Sequence, residues 1–152
     1  MSTLELIGEI LARHDGREGA LIPILHDIQD ALGFVPETAV PAVAQRLNLT
    51  RAEVHGALSF YHDFRREPAG RHVVKLCQAE ACQARGGRAS TTELEARLGV
   101  AMGETSPDGR VSLEPVYCLG LCASGPAALV DGRPVGRLDR PALARLVSEL
   151  SR

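Results

Sequence analysis

The sequence has no Trp, two Tyr and three Phe in 152 residues, so a core has to be built from Leu, Val, Ile and Ala. That composition suits helices with a modest sheet. Long runs of Lys or Arg are also missing and the formal net charge is -2, which removes the electrostatic footprint of a nucleic-acid binder. No segment approaches the roughly 20 apolar residues of a membrane helix. Met1-Ser2-Thr3-Leu4-Glu5 lacks the basic and apolar regions of a secretory signal. The expectation is a soluble, cytoplasmic protein without nucleic-acid partners or direct membrane insertion. Two enzymatic domains do not fit in this length. Hydrophobic content of 45% with 24% charged residues places the chain among folded rather than disordered proteins.

The apolar pattern divides the chain. Leu4, Ile7, Ile10 and Leu11 fall at helical spacing behind a Ser2-x-x-Glu5 capping box. A second helix begins near Pro23, carries Ile24, Leu25, Ile28 and Leu32, and stops at Gly33. A third carries Val40, Val43, Ala44 and Leu47, and Thr50-x-x-Glu53 opens a fourth with Val54, Leu58 and Tyr61. Pro68-Ala69-Gly70 then breaks the helical pattern. Residues 1–69 are predicted to form a helical bundle and residues 70–152 a second domain.

In that second domain His72 to Leu76 reads as a strand, Thr91 to Leu98 as a helix, and Val111 to Leu113 as another strand. Ala127 to Val130 and Pro134-Val135 form a hairpin around Asp131-Gly132, and Asp139 caps a last helix with Leu143, Leu146 and Leu150. A strand-helix-strand crossover requires parallel strands, whereas the tight turn requires antiparallel ones. The predicted class is therefore α/β (α+β), with a helical bundle followed by a mixed-sheet domain; by analogy, thioredoxin-like folds have this arrangement.

Cysteine is scarce as well, and in a reducing compartment four cysteines are better read as thiolate ligands or redox groups than as disulfides. Cys77 follows the first strand, and Cys82 falls in the loop leading to the crossover helix. Cys118 and Cys122 share the loop from Tyr117 to Pro126. Iron-sulfur clusters take four thiolates, two for each iron of a [2Fe-2S] centre, and two close pairs on separate loops suit that task. Gly120 and Gly125 can bring backbone N-H groups to sulfur, and Arg85 and Arg88 can offset negative charge. Four thiolates also suit a structural zinc site in a non-redox adaptor, although neither gap is the two-residue one of zinc ribbons. A dithiol oxidoreductase is the weakest reading, because no Cys-x-x-Cys follows the first strand.

Other chemistry is sparse. Gly86-Gly87 is only a pair, so a nicotinamide or flavin site is expected on a partner and no catalytic residue on this chain. The five histidines do not cluster with the cysteines in sequence and read as surface or capping residues, with His55 and His62 on one helix face. Phe60 and Tyr61 read as core ahead of the alternative, a partner-docking anchor.

Cys77-Gln78-Ala79-Glu80-Ala81-Cys82 and Tyr117-Cys118-Leu119-Gly120-Leu121-Cys122 together resemble the thioredoxin-like [2Fe-2S] ferredoxins. These occur as the E-type component of NADH:quinone oxidoreductase, in bidirectional NAD-linked hydrogenases and in NAD-dependent formate dehydrogenases. Leu21-Ile22-Pro23-Ile24-Leu25, Gly33-Phe34-Val35-Pro36 and Ser59-Phe60-Tyr61 extend the resemblance over the N-terminal part. Ile24 to Gln29, Arg51 to Gly56 and Leu113 to Cys118 look most like the gamma subunit of a soluble, molybdenum-dependent formate dehydrogenase. The resemblance implies one [2Fe-2S] cluster, with Cys77 and Cys82 on one iron and Cys118 and Cys122 on the other. It further implies an FMN/NAD-binding partner subunit and a catalytic partner subunit with further Fe-S clusters and a molybdenum cofactor.

Overall fold

Two of the helix starts in the N-terminal part are set by side chains that satisfy otherwise unpaired N-H groups. In this computed structural model, which describes residues 2–151, Ser2 and Glu5 exchange hydrogen bonds with each other's backbone at the head of α1 (Thr3–Arg13). Thr50 and Glu53 do the same at the head of α4 (Arg51–Phe60). Between them, α2 (Leu21–Leu32) stops at Gly33, where φ is 80°, and α3 (Ala39–Leu47) stops at Asn48 in the left-handed region. Ile7, Ile10, Ile24, Leu25, Ile28, Val43 and Val54 are fully buried in one apolar cluster. This first compact unit ends at Pro68 and the second begins at Ala69.

The aromatic residues depart from expectation. Phe60 and Tyr61 are 72% and 48% exposed, and Phe64 is the aromatic that enters the core. Phe60 stands two residues from Leu58, off the buried face of α4, and Tyr61 is extended past its end, so the helical repeat from Val54 and Leu58 reaches neither. His62 consequently lies beyond α4, and its predicted shared face with His55 does not form. Two histidines pair with carboxylates distant in sequence, His14 with Asp27 at 2.8 Å and His72 with Asp131 at 2.9 Å.

The second unit runs β1 (His72–Cys77), α5 (Glu80–Ala84), α6 (Gly87–Leu98), β2 (Val111–Val116), β3 (Ala128–Val130), β4 (Arg133–Val135) and α7 (Arg140–Leu150). The four-stranded sheet has the order β2-β1-β3-β4. β1 and β2 are parallel, with His72 opposite Val111 and Cys77 opposite Val116, whereas β3 is antiparallel to both β1 and β4. This is the mixed thioredoxin-like arrangement the element order predicts. Val74, Leu76, Leu113 and Val130 pack with Leu94 of α6 and Leu143 and Leu150 of α7. β2 runs three residues past its expected end, through Pro115, which an edge strand tolerates because a missing N-H need not break a ladder. Asp131 and Gly132 both take positive φ in the β3-β4 turn, as a two-residue hairpin of this kind requires. Among the described residues no helix is long and apolar enough to cross a membrane.

Close packing and a hydrogen-bonded turn carboxylate each have a measurable effect on stability. A Cβ at Gly87 would stand 2.7 Å from the backbone oxygen of Cys82, so Gly87→Ala forces α6 away from α5. An overpacking loss of about 1–3 kcal/mol is expected in urea unfolding of the full chain. Burial opposes ionisation of Asp131, but His72 and the Val73 N-H more than offset it and hold the carboxyl below its ordinary range. Its contribution is therefore present above the unfolded-state value of about 3.9 and is lost as pH falls through the folded one. Asp131→Asn should lower the urea midpoint near pH 7, and the gap to the natural chain should close as pH falls through the lowered folded-state value of Asp131.

Candidate metal centre

Parallel strands end at the same edge of a sheet, and here that edge carries every cysteine. Cys77 is the last residue of β1 rather than the first of a loop, and Cys82 sits on α5, a five-residue helix where a loop was expected. The loop after β2 carries Cys118, and Cys122 opens a single 3-10 turn, Cys122–Ser124. β1 is clamped there on both sides: the Cys77 N-H donates to Ala127 O at 2.9 Å and the Gln78 N-H to Val116 O at 2.8 Å.

The four thiols differ in setting. Cys77 and Cys82 are buried, each 2% exposed, in an apolar cluster with Ala127 against which Val116, Leu119 and Leu121 pack. Cys118 and Cys122 are exposed, with sulfurs 3.7 Å apart. Two thiolates bound at about 2.3 Å to one tetrahedral metal ion stand about 3.8 Å apart, so this pair has the spacing of joint ligands. Cys77 and Cys82 act on one another's ionisation, and Cys122 feels the charge of Cys77. Among the described residues no three His, Cys, Asp or Glu side chains converge on a position for a single ion. The outer pair has joint-ligand spacing and the inner pair is enclosed beside it, a donor set that suits a centre with one metal per pair.

Backbone donors surround the sulfurs. Burial opposes ionisation of Cys77, but the N-H groups of Ala79, Cys118 and Leu119, with the Cys82 thiol, more than offset it and bring its thiol below the ordinary range. Burial pushes the Cys82 thiol up, as does its bond to Cys77, despite the Ala127 N-H. The Cys122 thiol is pushed up by Cys118 beside it. The Gly120 N-H approaches the Cys118 sulfur at 3.5 Å, and Gly120 reaches it through a φ of 74°. Cys118 itself has a φ of 74°, a costly conformation for a residue with a side chain, held where its own N-H turns to Cys77. Gly125 has an ordinary φ of -66°; its role is clearance, because a Cβ there would stand 3.2 Å from the Cys82 sulfur.

Of the two expected arginines, Arg85 lies beside the site and donates from Nε to Gly125 O at 3.2 Å. Arg88 is exposed in the first turn of α6, with no ion pair among the described residues. Sequence reading missed the donors at Ala79, Leu119 and Ala127. Every residue but proline has such a group, and only the loop path aims it.

These burial differences predict an order of reactivity. When the chelator-treated chain is alkylated with iodoacetamide and mapped by peptide mass, Cys118 and Cys122 should react about tenfold or more faster than Cys77 and Cys82. Equal rates at all four would contradict the described burial.

Comparison with known proteins agrees with this geometry. The model of the thioredoxin-like [2Fe-2S] ferredoxin family matches residues 7–151. The E-type component of NADH-quinone oxidoreductase from Pseudomonas aeruginosa is 33% identical over 134 residues, 88% of this chain and 81% of that protein. An E-type component of the same oxidoreductase from Rhizobium meliloti, numbered 2 there, is 37% identical over 147 residues, 97% of this chain and 88% of that protein. Among solved structures, an NAD+-reducing [NiFe]-hydrogenase in the air-oxidized state superposes with a TM-score of 0.75 at 26% identity. That match covers 87% of this chain but only 23% of the hydrogenase chain, so the likeness concerns one part of that larger protein. The family match over nearly the whole length, joined to the paired cysteines at the sheet edge, makes this chain a member of the thioredoxin-like [2Fe-2S] ferredoxin family.

Proposed function

We propose that the chain is the [2Fe-2S] electron-transfer subunit of an NAD-linked oxidoreductase complex, with Cys77 and Cys82 holding one iron and Cys118 and Cys122 the other. The observation that carries this reading is the pairing of four sulfurs under converging backbone N-H groups. A bound [2Fe-2S] cluster supplies reversible one-electron chemistry. The chain's own residues supply the environment: thiolates as ligands, N-H groups that favour added negative charge, and Ala127, Leu119 and Leu121 that exclude water from the inner pair. Cys118 and Cys122 face outward, where a partner's redox group can approach. Donor and acceptor then belong to other subunits, an FMN/NAD-binding one and a catalytic one.

Two readings of the complex each have an observation behind them. Ile24 to Gln29, Arg51 to Gly56 and Leu113 to Cys118 resemble the gamma subunit of a soluble formate dehydrogenase, whose catalytic subunit carries a molybdenum cofactor. The identity to the E-type components over most of both chains favours a subunit of NADH:quinone oxidoreductase type instead. The chains that copurify decide: a molybdenum protein supports the first, membrane subunits the second, and a nickel enzyme redirects both to a hydrogenase.

The ligand assignment is tested by metal analysis. Anaerobically purified chain should contain about two irons and two acid-labile sulfides, and Cys118→Ser should lose at least about half of both while far-ultraviolet circular dichroism stays unchanged. Normal cluster content in that variant contradicts the assignment. Stoichiometric zinc without iron or sulfide overturns the relay in favour of a zinc-stapled adaptor.

A further inference from the structure

Beside the cysteines, a groove of about 950 Å3 runs between α6 and the start of α7. Four arginines line it, Arg85, Arg97, Arg137 and Arg140, against two carboxylates, Glu93 and Asp139. The excess is positive on a chain whose net charge is -2. Neither carboxylate neutralises the whole set. Glu93 is shared between Arg97 at 2.7 Å and Arg140 at 3.4 Å, and Asp139 accepts the Ala142 N-H at the head of α7. Arg140 is 88% exposed in its side chain, which leaves most of its donors facing outward.

Arg137 stands apart. Its φ is 51°, a conformation that favours glycine or asparagine, and it is held there by its N-H on Ser124 O and by the Asp139 N-H on its own carbonyl. Its guanidinium has no ion pair among the described residues. A charged side chain thus stands over the groove at a position where the backbone disfavours it. The groove also adjoins the redox site. Arg85 and Gly125 line it, and a Cβ at Gly125 would touch both the Arg85 side chain and the Cys82 sulfur.

We propose that this groove docks a carboxylate-rich segment of the partner protein that exchanges electrons with the site, seating the partner beside Cys82. Guanidinium groups pair carboxylates in a two-pronged geometry, and four of them along one channel fit an acidic stretch of chain rather than a single ion. Ala89, Ala96 and Pro126 give the channel apolar walls against which such a segment can lie. The identity of the partner as a redox protein rests on the electron-relay reading, but the binding does not.

The test uses fluorescence anisotropy of a fluorescein-labelled octaglutamate peptide titrated with the full chain, with iron content measured on the same sample. Binding is expected, weakening about tenfold between about 50 and 300 mM NaCl. Arg137→Asn keeps a residue suited to the left-handed backbone, and Arg140→Glu puts an acid in the first turn of α7, so both variants should fold. Each should weaken binding about fivefold or more, whereas Arg17→Glu in the first unit should leave it within about twofold. Arg137→Asn should also unfold at an equal or higher urea concentration than the natural chain. The proposal is overturned if the natural chain does not bind, if Arg137→Asn binds normally, or if Arg17→Glu loses as much as Arg140→Glu. Inorganic pyrophosphate held by these arginines without peptide binding overturns it too. Peptide binding by a chain without iron removes the relay and leaves the groove; an iron-loaded chain that ignores the peptide does the reverse.

Discussion

Parallel pairing of β1 with β2 decides where the cysteines can meet. A parallel pair needs a crossover, so the chain leaves both strands at one edge of the sheet. Cys77 ends β1 and Cys118 stands two residues past the end of β2, in a register that sets Cys77 opposite Val116. β3, antiparallel to β1, starts from the same edge, and Ala127 there both accepts the Cys77 N-H and donates toward Cys82. An antiparallel β1-β2 pair would put the two cysteine pairs at opposite ends of the sheet. Leu76 and Leu113 are buried beneath this edge, so a one-residue slip in register would turn core side chains outward as well as misplace sulfur.

Electrostatics then divides the site into an inner and an outer half. The inner pair is enclosed by apolar side chains, a setting that penalises thiolate charge, and the N-H groups of Ala79, Cys118, Leu119 and Ala127 oppose that penalty. The outer pair relies on water and on the Gly120 N-H. Positive backbone angles at Cys118 and Gly120 shape the loop that carries the Cys118, Leu119 and Gly120 donors. Thiol ionisation at one loop is therefore tied to loop conformation at the other, since the Cys118 N-H favours the Cys77 thiolate. The basic groove beside Cys82 adds a long-range attraction at the same end of the domain.

Much of this was legible in the residues. Capping boxes at Ser2 and Thr50, the Gly33 stop and the Asp131-Gly132 turn are local signals with local causes, and each appears as expected. The mixed sheet followed from crossover and hairpin rules, and its thioredoxin-like character from analogy. α5 was missed because five residues are too few to show helical periodicity. Phe60 and Tyr61 were misplaced because composition says that a core needs large side chains but not where α4 stops. The cysteine positions and Gly120 could be read directly, whereas the donors at Ala79, Leu119 and Ala127 belong to backbone that any residue carries. Arg137 gave no signal either, since its meaning lies in a left-handed angle and in a groove assembled from distant segments.

Whether two cysteine pairs at one sheet edge hold a single binuclear iron-sulfur centre is decided by electron paramagnetic resonance of the anaerobically purified chain, before and after dithionite. The oxidised sample should be silent. On reduction a signal integrating to about one spin per chain is expected, as when one electron enters a [2Fe-2S] centre. A chain that stays silent after reduction and carries one equivalent of zinc would contradict the assignment.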